Sequence, residues 1–523
     1  MSDVVKVEMK RRLRNIRAIA AMRWLNLLLM IFGVTGFASG QNPLTLYHLN
    51  NIPQSLTINP AMVPDAKVFV GFPVFSSIYS GVNFELTGAD LIQEHNGKYI
   101  TLTNADFDYE KLYRKMGRAA GFSSYQTITP ILFGFKTKSG YFTFGWTEKL
   151  DESLSVPKDV FRILDKGFPD GSSFDFGHLG ANANYYREFS FGYSFKPTDK
   201  LRLGISAKFL QGLASLKTRV DELTLTTSVD EWTMNIHGSA NISGPVYVSY
   251  DEDGIPSFDS IPENIGEFID KTAFNFSNPG FAFDLGAVYE AGEKLQLSAS
   301  LTDLGMMSWG GDDLNSFHAD GDYVFTGIEV NNDNVDSLDN AWDDLLDSIK
   351  ANVDFTHGKD KFVSALGPKL YLGATYSLNE YFSVGAVSRT LFSKYDFRQD
   401  FNFSANFNVK KVLTTSINYS VSINGANALG AGLGVKIWPV QLYVAMDYVP
   451  FKMYKNITIE NGDDPDNPVE IPMLPAQLEN LSVMFGVNLL FGTNEDEKSQ
   501  RYATLSSKKR KNSYSKKYEK RRR

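Results

Sequence analysis

The chain has 523 residues, no cysteine and a formal charge of −8, which excludes disulfides, thiol catalysis and cysteine-ligated metal. The charge is unevenly spread: residues 508–523 carry ten Lys/Arg against one Glu and residues 1–40 carry seven against two, leaving −22 on the body between two basic ends. Aromatic residues reach 13%, with 39 Phe and 25 Tyr, a composition suited to strand faces and interfacial girdles.

Lys10-Arg11-Arg12, Arg14, Arg17 and Arg23 precede an apolar core over residues 24–37 that ends in Ala38-Ser39-Gly40. This is the layout of a secretory signal cleaved before Gln41, with Met9 and Met22 as alternative starts. The core is about fourteen residues, too short to favour a spanning helix. No later stretch reaches eighteen consecutive apolar residues. Residues 41–65 contain Pro and Asn without periodicity and read as an ordered, non-strand lead-in.

A first strand is expected over 66–86, interrupted at Pro73, where a missing N–H implies a bend or an edge. Residues 106–116 read as a short helix with an Asp at its start. From residue 124 the strands come in pairs: 124–136 with 141–150, 183–195 with 201–210, 281–290 with 295–304, 370–378 with 382–392, 396–409 with 412–423, and 428–437 with 440–449. Each pair is joined by a short turn of Gly, Pro, Asn or charged residues.

The last strand, 480–491, sets Leu481, Val483, Phe485, Val487, Leu489 and Phe491 against Ser482, Met484, Gly486, Asn488 and Leu490. One apolar and one small or polar face over about ten residues is the pattern of a strand crossing a bilayer in a closed barrel. Long loops at 151–182, 211–280, 305–367 and 450–479 fall on the end opposite the short turns, as in an outer-membrane barrel whose short turns are periplasmic. The expected fold is all-β: a transmembrane antiparallel β-barrel of fourteen strands, with an N-terminal hatch segment and long extracellular loops. Strand-like runs at 222–229 and 233–240 leave sixteen as the alternative. The expected organisation is a signal peptide (1–40), a hatch (41–65), a barrel (66–492) contacting outer-membrane lipid, and a basic tail (493–523). An even strand count puts both mature termini in the periplasm.

Several short segments resemble known barrels. Asn59-Pro60-Ala61, just before the first strand, resembles the Asn-Pro-Ala of the long-chain fatty-acid transporter (FadL) superfamily. Asn278-Pro279-Gly280-Phe281-Ala282-Phe283-Asp284-Leu285-Gly286, with Tyr289, is similar to a segment of PorV, the shuttle barrel of type IX secretion in Bacteroidota. Ser298-Ala299-Ser300-Leu301-Thr302-Asp303-Leu304-Gly305, with Trp309, is similar to an uncharacterised Bacteroidota barrel family, number 5723 among the domains of unknown function. The resemblance implies a fourteen-stranded barrel with Asn59, Pro60 and Ala61 in a hatch inside the lumen. It carries no function, because its members divide between hydrophobic transport, secretion and the unknown.

Strand parity puts Asp284, Arg389, Arg398, Asp400, Asn418, Asp447 and Asn488 on the lumen side. Such a row either lines a solute path or pairs internally, and internal pairing is the expectation, since buried charges must be satisfied. Acidic clusters at 251–253, 312–313 and 463–466 lack EF-hand spacing and read as solvated surface. Residues 334–350 form an amphipathic pattern that suits a cap on the barrel mouth.

No G-x-S-x-G, H-E-x-x-H or P-loop occurs, so no catalytic residue, cofactor or metal ligand is assigned. In the tail, Lys508, Lys509, Arg510, Lys511, Arg521, Arg522 and Arg523 have the composition of a nucleic-acid patch, which export makes a false positive. They suit an acidic periplasmic or outer-membrane protein partner or anionic lipid. Two functions stay open: a gated channel or transporter for hydrophobic or small solutes, and a non-transporting structural or assembly partner in secretion or outer-membrane biogenesis.

Overall fold

A computed structural model of the chain describes residues 43–492, apart from 103, 105, 246, 251–255, 261–275, 326–352, 393–396, 410–411, 424–426, 449–452, 460–468 and 476–479. The signal sequence, the tail with Lys508, Lys509, Arg510, Lys511, Arg521, Arg522 and Arg523, the amphipathic stretch 334–350 and the acidic clusters at 251–253 and 463–466 lie outside the described residues.

Alternating segments need a partner on each edge, and here they find it by closing on themselves. The barrel strands are β1 (Val68–Gly71 continuing as Ser77–Phe84), β2 (Ala119–Lys136), β3 (Tyr141–Pro157), β4 (Gly180–Phe195), β5 (Leu201–Thr227), β6 (Asn278–Glu290) and β7 (Leu295–Trp309). They continue as β8 (Lys369–Ser377), β9 (Phe382–Phe392), β10 (Phe397–Val409), β11 (Leu413–Ile423), β12 (Ala428–Ile437), β13 (Val440–Met446) and β14 (Asn480–Phe491). Each pairs antiparallel with the next. β14 closes on β1 with Val68 opposite Phe491 and Ile78 opposite Phe485. The barrel therefore has fourteen strands and no free edge.

The alternative of sixteen is corrected by register. β5 is long: residues 201–212 pair with β6, while residues 215–227 pair with a separate strand, Trp232–Ser243. That strand pairs in turn with Leu314–Phe325, and the latter with Asp354–Gly358. The runs at 222–229 and 233–240 thus belong to a sheet standing beyond the barrel rim rather than to two more wall strands. At about 3.3 Å per residue, only part of a strand as long as β5 fits within the hydrocarbon core.

The burial pattern is inverted relative to a water-soluble sandwich. On β11, Ile417 is 63% exposed while its neighbours Ser416 and Asn418 are buried; on β14, Phe485 faces out and Asn488 is fully buried. Phe191, Phe281, Phe403 and Leu442 belong to the same exposed apolar surface. An apolar outside around a polar inside is what a lipid solvent selects. None of the described helices is long and apolar enough to cross a membrane.

Two local expectations are sharpened. β1 breaks at Pro73, Val74 adopts φ 67°, and the ladder resumes at Ser77. The break stays tethered on both sides, by Phe72 N–H to Val487 O and Val74 N–H to Pro130 O. The helix at 106–116 is Tyr109–Lys115, and its cap is Asp108, whose side chain accepts from the Lys111 amide at 3.1 Å. Asp106 lies too far upstream to reach that amide.

A cation placed at mid-strand on the outer face must meet lipid. Ile417→Arg is expected to cost about 2–4 kcal/mol of barrel stability in phospholipid vesicles, measured by urea unfolding, with Ile417→Leu near neutral.

Candidate functional site

Residues 43–66 leave the short-turn end of β1 and run inside the barrel. They form a four-residue helix, Leu44–Tyr47, and a 3-10 turn, Pro53–Thr57. Leu44, Leu46, Tyr47, Leu49, Ile52 and Ile58 are buried in one apolar cluster with wall residues such as Tyr79, Tyr371 and Tyr443. The wall makes room where it has no side chain: a Cβ on Gly430, Gly432 or Gly434 of β12 would lie 2.5–2.7 Å from Thr45, Leu49 or Ile52.

Polar contacts set the position. Asp447, at the end of β13, accepts the Leu44 amide at 2.6 Å, the Thr45 amide at 2.9 Å and the Thr45 hydroxyl at 2.7 Å. Those amides open the helix, where backbone donors have no internal partner. Asn418 donates to the Thr45 hydroxyl at 2.7 Å. Gln54 and Asn488 exchange amide hydrogen bonds at 2.8 and 2.9 Å, and Gln54 also donates to Ser76 O in the break of β1. His48 Nε2 lies 2.6 Å from Asn402 Oδ1. Because Asn402 Nδ2 already donates to Asn418 and Ser420, that contact makes Nε2 the donor, and with Nδ1 buried and without a partner among the described residues the imidazole is neutral.

The three resemblance segments meet at one place. Asn59 Nδ2 donates to Ala287 O on β6 and Ala299 O on β7, at 3.3 and 3.2 Å, while its Oδ1 accepts the Ala61 amide at 2.9 Å. A Cβ on Gly286 would sit 2.1 Å from Asn59 Oδ1, so only glycine lets the two approach. Ser300 donates to Ile58 O at 2.8 Å, and Ser194 donates to Pro60 O. Asn59, Pro60 and Ala61 are thus brought against the wall by these segments.

The seven lumen-row residues divide into three sets. Asn418, Asp447 and Asn488 bind the inner segment, as above. Arg389, Arg398 and Asp400 form a wall triad: Arg389 Nη2 lies 2.6 Å from Asp400 Oδ2 and Arg398 Nε 3.0 Å from Oδ1, with Ser422 donating as well. Asp284 joins a larger network. Lys208 Nζ lies 2.8 Å from Asp284 and 2.7 Å from Asp303, Lys149 2.6 Å from Glu188, and Lys369 2.6 Å from Asp303. Asp303 is turned inward by a bulge. Its φ is 57°, its amide donates to Asp284 at 2.8 Å, and it is buried together with its neighbour Thr302.

Lys149, Glu188, Lys208, Asp303 and Lys369 were absent from the sequence-derived row. Glu188 shares the parity of Ser190, Gly192 and Ser194, so its side was readable; Asp303 was not, because a bulge breaks parity. Asp312 and Asp313 are exposed.

A cysteine-free chain allows a clean reporter. Leu46→Cys is expected to resist maleimide, and adding Asp447→Ala to raise its labelling rate about tenfold or more, because orphaning a buried donor costs about 1–3 kcal/mol. Burial pushes the His48 imidazole down to about 4. The released state therefore binds more protons between about 4 and 6.5, and seating stability present above this window falls as the pH drops through it. Urea midpoints measured across that range should fall in the native chain and flatten in His48→Gln.

No curated protein matches the chain. Solved structures that resemble it are the toluene transporter TbuX of Ralstonia pickettii (10% identity, 87% of this chain and 95% of that chain, TM-score 0.38) and the toluene transporter TodX of P. putida (10%, 84% and 94%, 0.37). A FadL homologue of Pseudomonas aeruginosa is also similar (10%, 84% and 94%, 0.34). The model of a family of unknown function, DUF5723, matches residues 60–447. Spanning most of the chain, that match establishes that the protein belongs to the DUF5723 family.

Proposed function

We propose that the protein is a gated outer-membrane channel for hydrophobic or small solutes, with the inner segment as its plug and Asn59, Pro60 and Ala61 at the plug's contact with β6 and β7. The short-turn end faces the periplasm in this reading, and the long loops face outward. The observation that carries it is the way the inner segment is held. It crosses the lumen on side-chain bonds from β6, β7, β10, β11, β13 and β14 rather than as a strand of the wall. A segment attached by separable contacts can leave without opening the barrel.

The plug's bonds to the wall are mainly between neutral groups, each contributing about 0.5–1.5 kcal/mol net. The Arg389–Asp400–Arg398 triad and the lysine–carboxylate network link strand to strand, so plug movement leaves them intact.

The test locks the plug. A Cβ on Gly430 would lie 2.5 Å from Thr45 Oγ1, so Thr45→Cys with Gly430→Cys places two thiols within bridging reach. Deleting residues 43–62 is expected to open a steady conductance in planar bilayers. The oxidised cysteine pair is expected to abolish solute uptake into proteoliposomes, and reduction to restore it. Uptake that persists through the oxidised lock, or a plugless barrel that stays closed, contradicts the reading.

A further inference from the structure

The inner segment does not fill the lumen. A cavity of about 70 Å³ remains between Gln54, Leu56, Thr57 and Pro60 on the plug and the lysine–carboxylate network on the wall. A buried water needs about 10–15 Å³ on this measure, so the space holds roughly five waters or one small organic molecule.

Its lining is ionic and hydroxylic. Lys149, Lys208 and Lys369 face Glu188, Asp284 and Asp303, three charges of each sign, so neither an anion nor a cation gains a net attraction there. Hydrogen-bonding capacity is left over. An ammonium has three donors, and among the described residues Lys149 and Lys369 each make a single hydrogen bond, to Glu188 and to Asp303. The hydroxyls of Thr127, Ser190 and Ser206 line the same cavity, and none of them has a protein partner among the described residues. Tyr125 and Tyr371 also line it, with Leu56, Leu132 and Met484 as apolar members. An apolar occupant would displace water from these donors and acceptors without pairing them, and sites built to pair hydroxyls discriminate strongly against ligands that lack them.

Resting on the gated-channel reading, we propose that this cavity binds a small, neutral, polyhydroxylated solute, of about three to five carbons, as the molecule the channel admits. Its hydroxyls take the free donors of Lys149 and Lys369 and pair with Thr127, Ser190 and Ser206, while its carbons pack on the apolar part of the lining. The solute displaces water without breaking an ion pair.

The test uses the full chain in lipid nanodiscs, with xylitol as the probe in saturation-transfer NMR. Transfer to xylitol is expected, with displacement by erythritol. Thr127→Val with Ser190→Ala should weaken binding about tenfold, the equivalent of roughly one hydrogen bond. Thr127→Val alone is isosteric, and heat-modifiable migration on gels verifies that each variant is folded. Transfer to acetate or methylammonium but not to xylitol would overturn the proposal in favour of a charged ligand. Transfer to none of the three would leave a cavity for water only and also overturn it, as would xylitol binding that ignores both variants. Xylitol-driven swelling of proteoliposomes separates the two readings. Variant-sensitive binding without swelling keeps the site and removes the channel, whereas swelling without such binding keeps the channel and removes the site.

Discussion

A strand wall surrounded by lipid turns its polar side chains inward, where they need partners from the protein or from water. That constraint organises the rest of the protein. Asn418, Asp447 and Asn488 are buried almost completely, and each meets a group on the inner segment. The segment supplies the complement in alternation: Thr45, His48, Gln54 and Asn59 reach the wall, while Leu46, Leu49, Ile52 and Ile58 pack among the inner tyrosines. An apolar filler would strand the polar row, and a purely polar one would leave Tyr79, Tyr371 and Tyr443 without packing.

Charge is treated differently from neutral polarity. Lys149, Lys208, Lys369, Arg389 and Arg398 meet carboxylates of the wall strands, and among the described residues only Asp447 turns its carboxylate to the inner segment. Removing one member of a buried pair costs about 3–5 kcal/mol, several times the net worth of a neutral hydrogen bond. The division therefore keeps the expensive interactions in the wall and the inexpensive ones at the boundary that the proposed plug must release. It also explains why a plugged lumen retains an ionic cavity: the network belongs to the barrel and stays when the segment moves.

Much of the wall was legible in the sequence, because membrane strands write their two faces in strict alternation. Leu442, Val444 and Gln441, Tyr443 on β13 fall on the expected faces, and the pairing of Arg389 with Asp400 follows from shared parity on adjacent strands. What parity could not reach is where the chain departs from it. Asp303 turns inward through a bulge, so the network around Lys208 was invisible without the fold. The outer half of β5 alternates like a wall strand, yet pairs above the rim, because alternation reports a face and not a depth. The seat of residues 43–66 depends on partners some 400 positions away, as between Leu44 and Asp447, which no local pattern encodes.

Hydrogen exchange across the inner segment, read by mass spectrometry on the full chain in lipid, tests the central claim most directly. A segment held by the wall should protect its amides from Leu44 to Met62 nearly as well as those of β11 and β14. Exchange at the rate of a free chain, with the wall strands still protected, would contradict the account, because Asn418, Asp447 and Asn488 would then lack the inner-segment partners that account for their burial.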